Sequence, residues 1–65
     1  MYMLVKSPGS GEMKQAFDVL DEVFGTDEFS EGQAINSIAT GVDVPSTQAQ
    51  SIFRSLVASE YVGEV

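Results

Sequence analysis

Neither cysteine nor histidine occurs in this chain of 65 residues. The first absence removes disulfide frameworks and thiolate metal sites; the second removes the commonest zinc ligand and the commonest general base. The eight serines have no imidazole to activate them, and neither lysine stands in an apolar run that would make it a nucleophile, so a non-enzymatic protein is expected. Positive charge is scarce too: only Lys6, Lys14 and Arg54 oppose ten carboxylates, for a net charge of −7. Long apolar runs are also missing. The one near the start, Met1 to Val5, is far shorter than the roughly 20 residues of a membrane span or the about 7 to 15 of a signal sequence, which makes a cytoplasmic protein the expectation.

What is present argues for a folded domain. Hydrophobic residues make up 43% of the chain, enough for a core, and 65 residues form one domain, 1–65, with no linker or internal repeat. The few cations, the many acids and the abundance of Ser, Thr, Gly, Ala and Val resemble the composition of proteins from salt-in halophilic archaea, whose cytoplasm is rich in potassium chloride.

The order of elements follows from periodicity and punctuation. MYMLVK, residues 1–6, reads as a short strand, closed by the turn-forming Ser7-Pro8-Gly9-Ser10-Gly11. Met13, Ala16, Phe17, Leu20, Val23 and Phe24 recur at helical spacing, which predicts a first helix over about 11–24 with Gly25 as its left-handed cap. Ser30 and Gln33 form a capping-box pair, and Phe29 is placed to staple onto Ala34. A second helix of about ten residues follows, with Ala34, Ile35, Ile38 and Ala39 as its buried stripe and Gly41 as its cap. Pro45 then turns Val44 out of the helical region. Ser46 or Thr47 is placed to cap a third helix, 44–59 at its widest, whose buried face is Ala49, Ile52, Phe53, Leu56 and Val57. Tyr61 to Val65 alternates at period two and reads as a terminal strand.

Other candidate sites have bland explanations. Asp18, Asp21 and Glu22 share one face of the first helix, and Asp27, Glu28 and Glu31 gather beyond it, but the spacing matches no calcium loop and reads as a solvated acidic surface. SPGSGEMK, residues 7–14, lacks the Gly-Lys-Ser/Thr ending of a phosphate loop, since Gly11 is followed by Glu12. The four phenylalanines fall at core or staple positions. Tyr2 and Tyr61 lie in the two strands, placed to meet each other across the sheet or across a dimer interface.

Residues 29–65, FSEGQAINSIATGVDVPSTQAQSIFRSLVASEYVGEV, resemble the helix-turn-helix half of a winged-helix DNA-binding domain. Phe29-Ser30 stands for the extended segment before the supporting helix, Gly41-Val42 for the turn, and STQAQSIFRSLVASEYV for the recognition helix and the start of the wing. The resemblance implies a mainly α, three-helix bundle with a minimal two-stranded sheet from the N- and C-terminal segments. A winged helix continues into a hairpin, so here the wing is absent, or MYMLV pairs with Tyr61–Val65, or the terminal strand pairs across a two-fold axis in a homodimer. The resemblance implies sequence-dependent binding of double-stranded DNA in transcription regulation, with no cofactor.

On the third helix the buried positions leave Thr47, Gln48, Ser51, Arg54 and Ser55 outward, with Gln50 at the flank. Gln suits adenine, Arg suits guanine, and Ser or Thr suit base edges or phosphate oxygens. The run from Val44 to Ser59 holds no acid, although Asp43 and Glu60 bracket it. The competing expectation is an interaction module of the same fold that binds a protein partner and no DNA.

Overall fold

In the computed structural model, which describes residues 1–65, the chain runs β1 (Tyr2–Leu4), α1 (Gly11–Phe24), α2 (Glu31–Val42), α3 (Ser46–Ala58) and β2 (Val62–Glu64). It is a mainly α, three-helix bundle carrying a two-stranded antiparallel sheet made by the N- and C-terminal segments. The helical spacing of the apolar residues turns one stripe of each helix inward: Ala16, Phe17 and Leu20 from α1, Ala34 and Ile38 from α2, and Ala49, Ile52, Phe53 and Leu56 from α3. With Phe29 and Val62 these form one continuous core. Val23, expected in the stripe of α1, is 57% exposed: it lies with Val19 along an open cleft against Asn36, Thr40 and Gly41 of α2, outside the core that Phe24 packs on.

Of the three possible fates of the terminal strands, pairing within one chain is the one found. Tyr2 stands opposite Glu64, Met3 opposite Gly63 and Leu4 opposite Val62. β1 has a second neighbour. Its Tyr2 N–H donates to the Phe29 carbonyl at 2.8 Å, and the Phe29 N–H donates back to the Tyr2 carbonyl at 2.9 Å. The Tyr2 ring then meets Phe53 edge-on, with centroids 5.1 Å apart, while Tyr61 lies under the Lys6 ammonium, 5.7 Å from the ring centroid. The expected meeting of Tyr2 with Tyr61 does not occur, because strand alternation sends Tyr2 to the core side of the sheet.

Capping chemistry sets where the helices begin and end. Gly25 closes α1 at φ 59° and ψ −117°, a region open to glycine, with its N–H donating to the Asp21 carbonyl. The capping box of α2 is complete: Gln33 N–H donates to Ser30 Oγ at 3.1 Å, and Ser30 N–H donates to Gln33 Oε1 at 2.9 Å. At its other end α2 has 12 residues and runs through Gly41, so Gly41 is not its cap. Asp43 takes the left-handed conformation at φ 62°, and the N–H groups of Asp43 and Val44 both close on the Ala39 carbonyl. Neither Ser46 nor Thr47 caps α3. Pro45 occupies the cap position with extended backbone, and no side-chain hydrogen bond is made there.

Gly41 is required by packing instead. A β-carbon at this position would stand 2.6 Å from both γ-carbons of Val19, so α1 and α2 approach each other too closely for any side chain here. Val19 cannot easily yield, since a β-branched side chain in a helix has one favoured rotamer. Gly41→Ala should therefore lower stability by about 1 kcal/mol net, an overpacking cost of about 1–3 kcal/mol less the helix-propensity gain of Ala over Gly. Adding Val19→Ala should recover much of that loss as a coupling in a double-mutant cycle of denaturant unfolding. A Gly41→Ala protein as stable as the parent would refute the close approach.

Candidate functional site

α3 presents the longest stretch of the chain without a carboxylate. Ala49, Ile52, Phe53 and Leu56 are held in the core, which fixes the rotation of the helix and leaves Thr47, Gln48, Ser51, Arg54 and Ser55 exposed to solvent. Gln50 is half-buried and lines a shallow cleft between α2 and α3 with Ile35, Ser46 and Thr47. All six predicted residues thus lie on the non-core side of one helix. Gln50 is set apart toward α2.

Their partners divide them further. Ser51 Oγ donates to the Thr47 carbonyl one turn back at 3.3 Å, so its hydroxyl hydrogen is already engaged. Gln48 Nε2 donates to Glu12 Oε2 at 3.2 Å, and Arg54 Nε stands 3.7 Å from Glu31 Oε2. Thr47, Gln50 and Ser55 make no side-chain hydrogen bond to the rest of the chain. Two carboxylates therefore reach the α3 face, and they come from the first turns of α1 and α2 rather than from the bracketing Asp43 and Glu60.

The sequence reading missed Glu12 and Glu31. Glu12 lies 36 positions from Gln48, and no periodicity along α3 can reveal a neighbour brought in by tertiary packing. One signal was available: acids favour the first turn of a helix, where they meet the positive end of its dipole, and in a three-helix bundle two such ends can flank the third helix. Both contacts are open to water. The Arg54 side chain is 68% exposed and that of Glu31 40%, so the pair is worth at most about 1 kcal/mol and exchanges readily for another anion.

Elsewhere the acidic face of α1 is solvated, with Lys14 bridging to Asp18 at 2.7 Å as an i,i+4 pair. No group of three carboxylates converges to hold a cation. No helix is long and apolar enough to cross a membrane. Set against protein-family models, curated proteins and solved structures, the chain matches none of them.

Because the two carboxylate contacts are exposed, Glu12→Gln and Glu31→Gln should each change unfolding free energy by less than about 1 kcal/mol. Denaturant titration checks this. A larger loss would mean that these acids hold the bundle together and do not merely border α3.

Proposed function

We propose that the chain is a winged-helix-like transcription regulator that binds double-stranded DNA through α3, in the cytoplasm of a salt-accumulating organism and without enzymatic activity. The observation that carries the reading is the outward face of α3: Thr47, Gln48, Ser51, Arg54 and Ser55, all exposed, with no carboxylate of the helix's own. These are donors and acceptors of the kind that reads base edges and positions phosphates.

Electrostatics sets the conditions. With a net charge of −7 and Glu12 and Glu31 beside the reading face, phosphate is repelled in dilute salt. At about 1 M salt the Debye length falls to about 3 Å, from about 10 Å at 0.1 M, and the distant carboxylates drop out of account. Affinity built on many lysines would collapse there, since each neutralised phosphate contributes a log-log slope of about −0.9. A face with a single cation, Arg54, loses little.

The same two acids support a second reading, in which α3 docks a protein and no DNA. Glu12 and Glu31 turn part of the face into a mixed donor and acceptor surface that suits a peptide carrying its own cations.

Titration of a labelled random duplex pool at about 0.1 M and about 1 M potassium chloride separates the two. Weak binding that does not fall between those salts is expected. Arg54→Ala should reduce it roughly tenfold with an unchanged unfolding midpoint, and Glu31→Gln should raise it in the dilute salt alone. No binding at either salt would overturn the DNA reading, and an Arg54→Ala protein that fails to fold would make Arg54 structural.

A further inference from the structure

Val23 is the one large hydrophobic side chain that the fold leaves exposed on a helix, the others, Met1, Val5 and Val65, belonging to the terminal strands and their flanks. It does not stand alone. With Val19 it makes the apolar part of an open cleft of about 530 Å³ between α1 and α2, to which Gly41 adds bare backbone. Glu22 of α1 and Asn36, Ser37 and Thr40 of α2 complete the lining. None of these four spends its side chain on a hydrogen bond or ion pair within the chain. The volume falls within the about 300–1,000 Å³ of clefts that bind ligands, and the mixture of apolar surface with a few free polar groups is theirs too.

Charge decides what the cleft can take. Of the three clefts on the molecule, this is the one whose only charged group is a carboxylate: the cleft beside the sheet mixes Lys6 with Glu60 and Glu64, and the one beside Gln50 has no charged group. From Gln15 to Asp43 the chain has no lysine or arginine and seven of its ten carboxylates. Its three cations are engaged elsewhere, Lys14 with Asp18, Arg54 with Glu31 and Lys6 with the Tyr61 ring. Glu22 is therefore left without a counter-ion.

We infer that this cleft docks a basic amphipathic helix of a partner protein, with aliphatic side chains laid against Val19, Val23 and Gly41 and a lysine or arginine brought to Glu22. A groove between two packed helices is a shape that a further helix fills, and the missing side chain at Gly41 lets it come close. Asn36, Ser37 and Thr40 on the α2 wall offer hydrogen bonds to its polar flank. A second copy of the chain is a poor occupant, since it brings a net charge of −7 to a surface that is itself acidic. No residue of α3 lines the cleft, so the partner is held while α3 stays free.

Nuclear magnetic resonance of the whole isotope-labelled chain in about 0.1 M potassium chloride, without DNA, tests this apart from the function proposed above. The probe is an amidated helical peptide of about 18 residues made of leucine, lysine and alanine, with the leucines along one face. Amide shifts centred on Val19, Val23, Ser37 and Gly41 are expected, with a Kd of about 100 μM or tighter. Glu22→Lys, and Thr40→Lys on the opposite wall, should each weaken binding at least about tenfold, and Val23→Ser about fivefold. All three positions are exposed, so the unfolding midpoint should hold. A peptide with glutamate in place of lysine should not bind, and one with serine in place of leucine should bind at least about tenfold more weakly. No shift with about 1 mM of the leucine-lysine peptide overturns the inference, as do shifts centred on α3 or the sheet. Equal binding by the serine peptide, or variants that all bind like the parent, would reduce the effect to net charge and overturn it as well.

Discussion

Phe29 is the residue on which the elements converge. Its main chain pairs in both directions with Tyr2, and its ring stacks on Phe24 at 4.7 Å and meets Phe53 edge-on at 6.5 Å. It also immediately precedes the capping box that starts α2. A fully buried residue between two helices would normally strand its backbone polar groups, and buried N–H and carbonyl groups without partners are costly. Tyr2 supplies both partners. The N-terminal strand is thereby held to the helix junction as well as to β2, which gives a two-stranded sheet, marginal by itself, the packing it needs. Truncating a buried phenylalanine costs about 3–5 kcal/mol, of the order of the whole stability that a core this small supplies.

The close approach of α1 and α2 is the second constraint, and it explains the glycine that local chemistry misassigns. Gly41 near the end of an apolar stripe reads as a cap, because glycine there is usually a left-handed residue. Asp43 takes that conformation instead, as Asn and Asp tolerate it better than most residues. What fixes Gly41 is Val19, 22 positions earlier in another helix. By contrast, the span of α1, the capping box of α2 and the core stripe of α3 were all legible, since each depends on residues within a turn or two of one another. Phe29 was legible as a core residue. Its bridge to Tyr2 was not, because an isolated two-residue pairing leaves no period in the sequence.

The candidate site follows the same division. Which side chains of α3 face outward is decided by the α3 stripe itself, so Thr47, Gln48, Ser51, Arg54 and Ser55 could be named from spacing. What stands beside them is decided by packing. Glu12 and Glu31 occupy the first turns of α1 and α2, where the helix dipole favours acids, and the bundle brings both starts alongside α3. A local stabilising preference of two helices thus becomes an electrostatic property of the third.

That coupling bears on why so acidic a chain can present a polar, nearly neutral face at all. Removing Glu12 and Glu31 would strip the helix starts of dipole-compensating charge, each worth about 0.3–1 kcal/mol at low ionic strength, while adding lysines to α3 would make binding steeply dependent on salt. Keeping the acids and a single arginine accepts repulsion in dilute solution. The repulsion acts over a Debye length and is screened in concentrated salt, whereas the short-range hydrogen bonds that Gln48, Thr47 and Arg54 would make to a groove under the proposed function would persist there. Under the proposed function the α3 face gains as ionic strength rises, so the salt dependence of binding tests that proposal more directly than behaviour in dilute buffer.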